Sequence, residues 1–172
     1  MDLRFSPHAY FSLLLVFCAF LIASALYFQF AGGLEPCPLC ISQRIMVLVV
    51  GLVMLAAVLH RPGRLGIRVY AVLGFLAAMA GAAISARHVW LQHLPADQVP
   101  SCGPGLEYMF QNFPLSDALK TMFTGTGDCA KVDWTLLGLS MPAWVLICFV
   151  GIGLASLAQF WNSVARRDRY AW

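Results

Sequence analysis

Cysteine residues in polar segments are the side chains of this chain best suited to chemistry. Four of the six cysteines lie in such segments: Cys37, Cys40, Cys102 and Cys129. The other two, Cys18 and Cys148, lie inside apolar runs, where burial keeps a thiol inert. A thiolate attacks a disulfide through a mixed-disulfide intermediate, and the Cys-x-x-Cys pair at 37–40 is a common site of this exchange. The four polar cysteines therefore predict thiol–disulfide chemistry.

The position of Cys40 predicts an activated thiol. The apolar run at 45–59 is too short to cross a membrane as a helix, and extending it back to Cys40 restores about 30 Å. Cys40 is then expected at a helix N-terminus, where the peptide dipoles and free N–H groups favour a thiolate. Arg44, one turn farther along, would add a positive charge beside the sulfur. The alternative for Arg44 is snorkelling to the membrane interface.

Two structural roles for the cysteines compete with this interpretation. A structural zinc site normally takes its ligands from two close pairs, whereas Cys102 and Cys129 are far apart in sequence. A static disulfide between Cys102 and Cys129 would stabilise the fold by about 3.5 kcal/mol from chain entropy. The proline and glycine residues around Cys102, in the stretch PSCGPG, favour an accessible thiol instead.

The composition indicates a membrane protein. Hydrophobic residues make up 60% of the 172 residues and charged residues only 11%, far below the share in soluble domains. The length suits a single integral membrane domain over residues 1–172. The net charge of +3 is small, and no basic stretch interleaved with aromatic residues indicates a nucleic-acid partner.

Four apolar runs predict an all-α, four-transmembrane-helix bundle, with spans at about 10–30, 40–59, 67–87 and 141–161. The loop after the first span is short and the loop after the third is long. The first run is too long for a cleaved signal peptide and lacks a small-residue cleavage site. Small residues at 74, 77, 78 and 81 predict close helix packing. The segment at 115–123 (LSDALKTMF) predicts a short helix, either on the membrane surface or within an ordinary loop.

The arginine residues predict the orientation. Seven of them flank one side of the four-span arrangement: Arg4, Arg61, Arg64, Arg68, Arg166, Arg167 and Arg169. Positive residues flanking membrane spans are enriched on the cytoplasmic side, so both termini are expected there. The four polar cysteines then face outward, into the oxidising compartment of a bacterium, and both loops that carry them are periplasmic.

A membrane dithiol needs an electron acceptor, and the sequence offers no fingerprint for a soluble one. Neither a dinucleotide-binding motif nor a Cys-x-x-Cys-His haem motif is present. By elimination, a lipid-soluble quinone is the expected electron acceptor. His88, at the outer end of the third span, is a candidate polar contact for it, and the alternative is a histidine with a purely structural place at the interface.

These motifs resemble those of the DsbB family, the bacterial inner-membrane disulfide bond formation proteins B. The resemblance covers the four spans and both outer loops. It rests on EPCPLC at 35–40 with Arg44, on Arg87-His88, on GDCA at 127–130 and on LGLSMPAW at 137–144. It implies a multi-pass protein of the inner membrane, with cytoplasmic termini and periplasmic cysteines.

The resemblance also implies a mechanism. Reduced DsbA, a soluble thioredoxin-like oxidase, would attack Cys102 of a Cys102–Cys129 disulfide, and released Cys129 would attack Cys37. Cys40 would then face a quinone, ubiquinone or menaquinone, beside Arg44 and His88. The family implies no metal, flavin or haem. Gln43 stands where some members carry glutamate, so an acid–base role at this position does not carry over.

Two other functions fit part of the pattern. A vitamin K epoxide reductase-like enzyme is also a four-helix thiol–quinone protein, but its loop cysteines precede the Cys-x-x-Cys pair. Here Cys37 and Cys40 come first. A non-enzymatic four-span scaffold with a disulfide-bonded loop would not need Cys37 and Cys40 beside an intramembrane arginine.

Overall fold

Four long apolar helices form the frame of the computed structural model, which describes residues 6–95, 97–101, 108, 111–132 and 134–168, with the backbone alone at 118 and 165–168. In chain order the helices are α1 (Pro7–Phe30), α2 (Pro38–His60), α3 (Arg64–Gln92), the short α4 (Leu115–Thr124) and α5 (Met141–Asp168). All but α4 are long and apolar enough to cross a membrane, α5 over Met141–Val164. The predicted four-span, all-α architecture is confirmed.

Local sequence signals explain where the first helices begin. The Ser6 side chain accepts a hydrogen bond from the Ala9 N–H at 3.2 Å and caps α1, whose first residue is Pro7. Proline also occupies the first position of α2, after the cap residue Cys37. At the far end of α2, Arg61 takes a left-handed backbone conformation (φ 42°) that ends the helix before α3 begins.

Two helix ends differ from the expected spans. The second span was expected to begin at Cys40, but α2 begins at Pro38, which places Cys40 inside the first turn. The third span was expected to end near residue 87, but α3 continues to Gln92. Polar residues end a hydropathy run without ending a helix, and 87–92 contains neither glycine nor proline. His88 is therefore a helical residue.

Small residues on α3 allow the close packing that the sequence predicted. The helix buries Ala71, Gly74, Ala78 and Gly81 along one face and packs most extensively against α5. A methyl group at Gly81 would collide with the ring of Phe149 on α5. Large apolar side chains elsewhere on the four helices remain exposed, as expected for surfaces that face lipid.

The segment between α3 and α5 is fastened to the outer ends of α2 and α3. Ser42 of α2 donates a hydrogen bond from Oγ to the Met122 carbonyl of α4 at 2.7 Å. Arg87 of α3 donates from Nε to the Thr124 carbonyl, the last residue of α4, at 3.0 Å. The predicted short helix is thus confirmed. One stripe of α4 exposes the apolar side chains of Leu115, Leu119 and Phe123. This pattern is typical of helices that lie on a membrane surface.

A two-stranded hairpin leads into α5. The strands β1 (Thr135–Leu136) and β2 (Leu139–Ser140) pair antiparallel, with positive φ at both turn residues, Leu137 and Gly138. Ser140 donates from Oγ to Gln92 Oε1 at 2.6 Å, which joins the hairpin to the outer end of α3.

We expect Gly81→Ala to lower the free energy of unfolding by about 1–3 kcal/mol, because the added methyl group overpacks the contact with Phe149. Reversible unfolding in detergent micelles measures this change. Gly151→Ala is the matched control, since a methyl group there meets no atom within 4 Å. Equal stability of the two variants would contradict the close α3–α5 contact.

Candidate functional site

The first turn of α2 holds the Cys-x-x-Cys pair in an unusual capping arrangement. Cys37 is the cap residue, and its sulfur accepts a hydrogen bond from the Cys40 N–H at 3.3 Å. A sulfur thus takes the place of the oxygen that commonly caps a helix. The two sulfur atoms lie 2.8 Å apart, and both residues are free thiols in this structure.

A second cysteine segment packs against this turn. Cys129 lies in a 3₁₀ turn, Gly127–Ala130, that places its sulfur within 4.8 Å of the sulfur of Cys37. The side chain is fully buried and packs with Leu39 of α2 and Leu91 of α3. The structure therefore brings Cys129 close to the Cys-x-x-Cys pair. The resemblance implies an exchange between Cys129 and Cys37.

Gly125 makes this docking possible. Its backbone has a positive φ of 80°, and a methyl group there would lie 2.8 Å from side-chain atoms of both Leu39 and Leu91. Only glycine fits such a close approach without strain. The segment that leads from α4 to Cys129 can thus lie directly on the ends of α2 and α3.

Cys102, the remaining predicted redox cysteine, lies outside the described residues. Its neighbour Ser101 is described, and the Ser101 carbonyl accepts a hydrogen bond from the Gly127 N–H at 3.4 Å. Cys18 and Cys148 lie within α1 and α5, where their side chains are buried or half-buried.

His88 joins the thiol cluster from α3. Its Nε2 atom lies 3.7 Å from the Cys37 sulfur, and its Nδ1 atom lies 3.4 Å from the amide nitrogen of Gln43. The ring is only 2% exposed. The ring is therefore buried between a thiol and an amide.

The thiols of Cys37 and Cys129 have pKa values shifted in opposite directions. The hydrogen bond from Cys37 lowers the pKa of Cys129 to about 6, helped by backbone N–H groups of Leu39 and Thr126 and opposed by burial. The same contact with Cys129, together with Cys40 and burial, raises the pKa of Cys37. Of these two thiols, Cys129 is therefore the more readily ionised.

A cavity of about 580 Å³ opens beside Cys40, between the outer ends of the helices. Its walls include the apolar residues Ile22, Val47 and Val145. Its polar side chains within the helices include His88, Gln43 and Arg44. The space therefore combines an apolar enclosure with a few N–H donors next to a reactive thiol.

The Arg44 guanidinium is fixed against α1. It donates from Nη1 to Gln29 Oε1 and from Nη2 to the Ala25 carbonyl, the latter at 3.2 Å. The protein therefore holds the head group of Arg44 beside the outer end of α1.

Sequence reasoning missed the partners Gln29 and Ser42, and it assigned Gln43 no contact. A usable signal exists, because an uncharged polar residue inside an apolar span usually faces another helix rather than lipid. All three residues lie within the outer turns of α1 or α2. Their particular partners depend on side-chain positions that hydropathy does not encode.

The fold and this cluster define an integral membrane thiol oxidoreductase. The sequence profile described as "Disulfide bond formation protein DsbB" matches residues 7–159. Disulfide bond formation protein B from Methylococcus capsulatus is 69% identical over 158 residues, which cover 92% of this chain and 96% of that protein.

Further relatives extend the same match. The protein of that name from Nitrosococcus oceani is 52% identical over 157 residues, 91% of this chain and 93% of its own. The one from Stutzerimonas stutzeri is 47% identical over 163 residues, 95% and 98% of the two chains. The chain belongs to the DsbB family. This membership sets aside a vitamin K epoxide reductase-like enzyme and a non-enzymatic scaffold.

We expect the ionisation of Cys129 to depend on Cys37. In a reduced variant that keeps only these two thiols, Cys129 should be protonated below and ionised above a pH of about 6. Cys37→Ala removes the donor and should move the pKa toward about 8.5, the usual value for a thiol. The pH dependence of thiolate absorbance in detergent measures both. Cys37→Ser, which keeps a hydroxyl donor, is the matched control and should stay low. An unchanged midpoint in Cys37→Ala would contradict the hydrogen-bond cause.

Proposed function

We propose that this protein reoxidises a periplasmic DsbA-like dithiol oxidase and passes the electrons to a membrane quinone. The observation that carries the proposal is the position of the Cys37 sulfur. It lies 2.8 Å from the sulfur of Cys40 and within 4.8 Å of the sulfur of Cys129. When the Cys37–Cys40 disulfide is formed, the Cys37 sulfur is bonded to Cys40, the leaving group. Cys129, the nucleophile, lies close to the same sulfur.

The proposed exchange begins in the second outer loop. The thiolate of the reduced oxidase attacks Cys102 of a Cys102–Cys129 disulfide, which breaks that bond and releases Cys129 as a thiolate. The second thiol of the oxidase then displaces Cys102 from the mixed disulfide. The oxidase leaves with a disulfide, and Cys102 and Cys129 keep its two electrons and two protons.

The second exchange transfers these electrons to the Cys-x-x-Cys pair. The Cys129 thiolate attacks Cys37 and displaces Cys40, and Cys102 then attacks Cys129 and displaces Cys37. The Cys102–Cys129 disulfide re-forms, and Cys37 and Cys40 become the dithiol. The low pKa of Cys129 suits this role, because a thiol ionised near ambient pH is an effective attacking group.

The cavity beside Cys40 fits a quinone head group. A quinone has a flat apolar ring with two carbonyl acceptors, and the cavity has apolar walls with N–H donors on Arg44, Gln43 and His88. Arg44 and His88 are the residues we assign to holding the ring. When bound, a quinone accepts the two electrons and two protons released as Cys37 and Cys40 re-form their disulfide. Ubiquinone and menaquinone share these features.

Anaerobic turnover tests the function directly. The purified protein in detergent should oxidise reduced DsbA only when ubiquinone or menaquinone is supplied. With a reduced DsbA variant that keeps only its attacking cysteine, a mixed disulfide should accumulate through Cys102, because the second thiol that would displace Cys102 is absent. The Cys18→Ala, Cys148→Ala double variant is the control and should keep full turnover, since these cysteines lie away from the cluster. An adduct of the same DsbA variant found on Cys129 instead of Cys102 would reverse the proposed order.

Arg44 should act on the quinone step alone. We expect Arg44→Ala to lower quinone kcat/KM by about 100-fold, in the range seen when one charge-stabilising donor is removed. Arg44→Lys should lose less, because it keeps the charge but not the planar fork that reaches Gln29 and Ala25. Steady-state quinone kinetics measure both variants. Quinone-independent single-turnover exchange with DsbA should be unchanged, and an equal loss there would show that Arg44 supports the thiol cluster instead.

The proposed location is the bacterial inner membrane, with both termini in the cytoplasm. The seven flanking arginines support this orientation. A cysteine introduced at Pro62, in the turn between α2 and α3, should resist an impermeant thiol reagent in intact cells and react after lysis. A cysteine introduced at Leu137, in the hairpin turn, is the matched control and should react without lysis. The opposite labelling pattern would invert the topology.

A further inference from the structure

Three soft ligand atoms meet at the thiol cluster. The ligand atoms of Cys37, His88 and Cys129 all lie within 4.8 Å of one another. Thiolate and neutral imidazole are the ligands that Zn²⁺ prefers, and its bonds of about 2.0–2.3 Å place ligand atoms roughly 3.3–3.8 Å apart. The 3.7 Å between Cys37 Sγ and His88 Nε2 already falls in this range. We propose that the reduced cluster binds one Zn²⁺ ion through Cys37, His88 and Cys129.

The surroundings of the histidine suit a metal ligand. His88 is 2% exposed, and its Nδ1 atom lies 3.4 Å from the Gln43 side-chain amide. Rotation of that amide places its oxygen where the nitrogen lies, so that it accepts a hydrogen bond from Nδ1–H. This bond fixes the tautomer with a free lone pair on Nε2, the atom that faces Cys37. Most metal-binding histidines are oriented by an outer partner of this kind.

The cysteine ligands are also held by the fold. Cys129 is fully buried against Leu39 and Leu91, and the Cys37 sulfur is fixed by the Cys40 N–H. Three protein ligands leave a fourth tetrahedral position for water or another donor, as in many zinc sites. Cys40 is the nearest further thiol, 2.8 Å from Cys37, but it stands outside the three-atom cluster and is not assigned as a ligand.

This site differs from a structural zinc site because it exists in one redox state only. A disulfide at Cys37 or Cys129 removes a ligand, whereas the dithiol binds the ion as its thiol protons are released to solvent. No electron is transferred in this step. The consequence for activity rests on the proposed function: a metal-bound Cys129 cannot attack Cys37, so Zn²⁺ arrests the reduced enzyme until a chelator removes it.

Cadmium titration tests the site, because Cd²⁺ takes the same ligands and its thiolate complexes absorb in the ultraviolet. The full-length protein is used with Cys18, Cys40, Cys102 and Cys148 replaced by alanine and with the two remaining thiols reduced by a phosphine. We expect one Cd²⁺ per protein and its thiolate charge-transfer band. Oxidation to a Cys37–Cys129 disulfide should abolish the band, and retention of tight binding after oxidation would overturn the assignment.

His88→Gln identifies the third ligand. We expect it to weaken Cd²⁺ binding by at least about 100-fold, the upper end of the loss that an outer partner alone causes. His93→Gln is the matched control, since His93 follows the last residue of α3 and its ring contacts the Val89 carbonyl at 2.8 Å. If His88→Gln does not fold, Gln43→Ala replaces it, with an expected loss of about 10–100-fold. Unchanged affinity in either variant overturns the site.

Turnover separates this inference from the proposed function. Wild-type protein is reduced, loaded with Zn²⁺ and freed of excess ion before DsbA and quinone are added. We expect a block that a chelator reverses. Turnover of metal-free protein with no Cd²⁺ binding refutes only the zinc site. Ligand-dependent Cd²⁺ binding by a protein that never turns over refutes only the proposed function and leaves the site in place.

Discussion

Docking of the Cys129 turn onto the outer ends of α2 and α3 is the contact on which the site depends. Two hydrogen bonds hold the segment before it, from Ser42 to the Met122 carbonyl and from Arg87 to the Thr124 carbonyl. Both donors come from membrane helices and both acceptors are backbone carbonyls of α4. The Ser42 bond is buried, where a hydrogen bond is stronger than in water and an unpaired carbonyl is costly. The Arg87 bond is exposed and ties the end of α4 to α3. The docked segment is therefore fixed, and Cys129 stays beside Cys37.

The membrane imposes the second constraint. Lipid offers no partner to a polar side chain, so such side chains in membrane helices turn toward one another. Gln29, Gln43, Arg44 and His88 come from three helices, and each contacts a polar group of another element. The need of these polar side chains for partners joins the helices. It also places their hydrogen-bond donors around one cavity, beside Cys37 and Cys40. The same residues support helix packing and line the candidate site, so a substitution at one of them affects both.

The four membrane spans could be predicted from the sequence, but the contacts between side chains could not. Hydropathy predicted four spans, because every span needs a long apolar run, and arginine placement predicted an orientation. Hydropathy could not predict that α3 continues to Gln92, because a helix passes through polar residues that lie outside the membrane core. Nor could spacing place Cys129 against Cys37. Only the family resemblance implied that contact, since it depends on how a long polar segment folds back.

Side-chain detail was the least predictable part. The head group of Arg44 is bound to Gln29 and Ala25 on α1, and the sequence predicted neither contact. A long side chain reaches many partners, and composition does not choose among them. The Gln43–His88 contact is of the same kind, because it depends on two rotamers on facing helices. These details matter most for the chemistry, since they decide which nitrogen atom faces the sulfur.

Gly125 shows how a residue without a functional group can limit the evolution of this site. It lies in a connecting segment, where insertions and replacements are usually tolerated. Yet its positive φ and its close approach to Leu39 and Leu91 leave no room for a side chain. Sequence change in this loop is therefore confined to the residues around Gly125. A replacement of the glycine would need a different backbone conformation there as well as smaller residues at both leucine positions. The history of this loop is tied to the history of two helix ends that are distant from it in sequence.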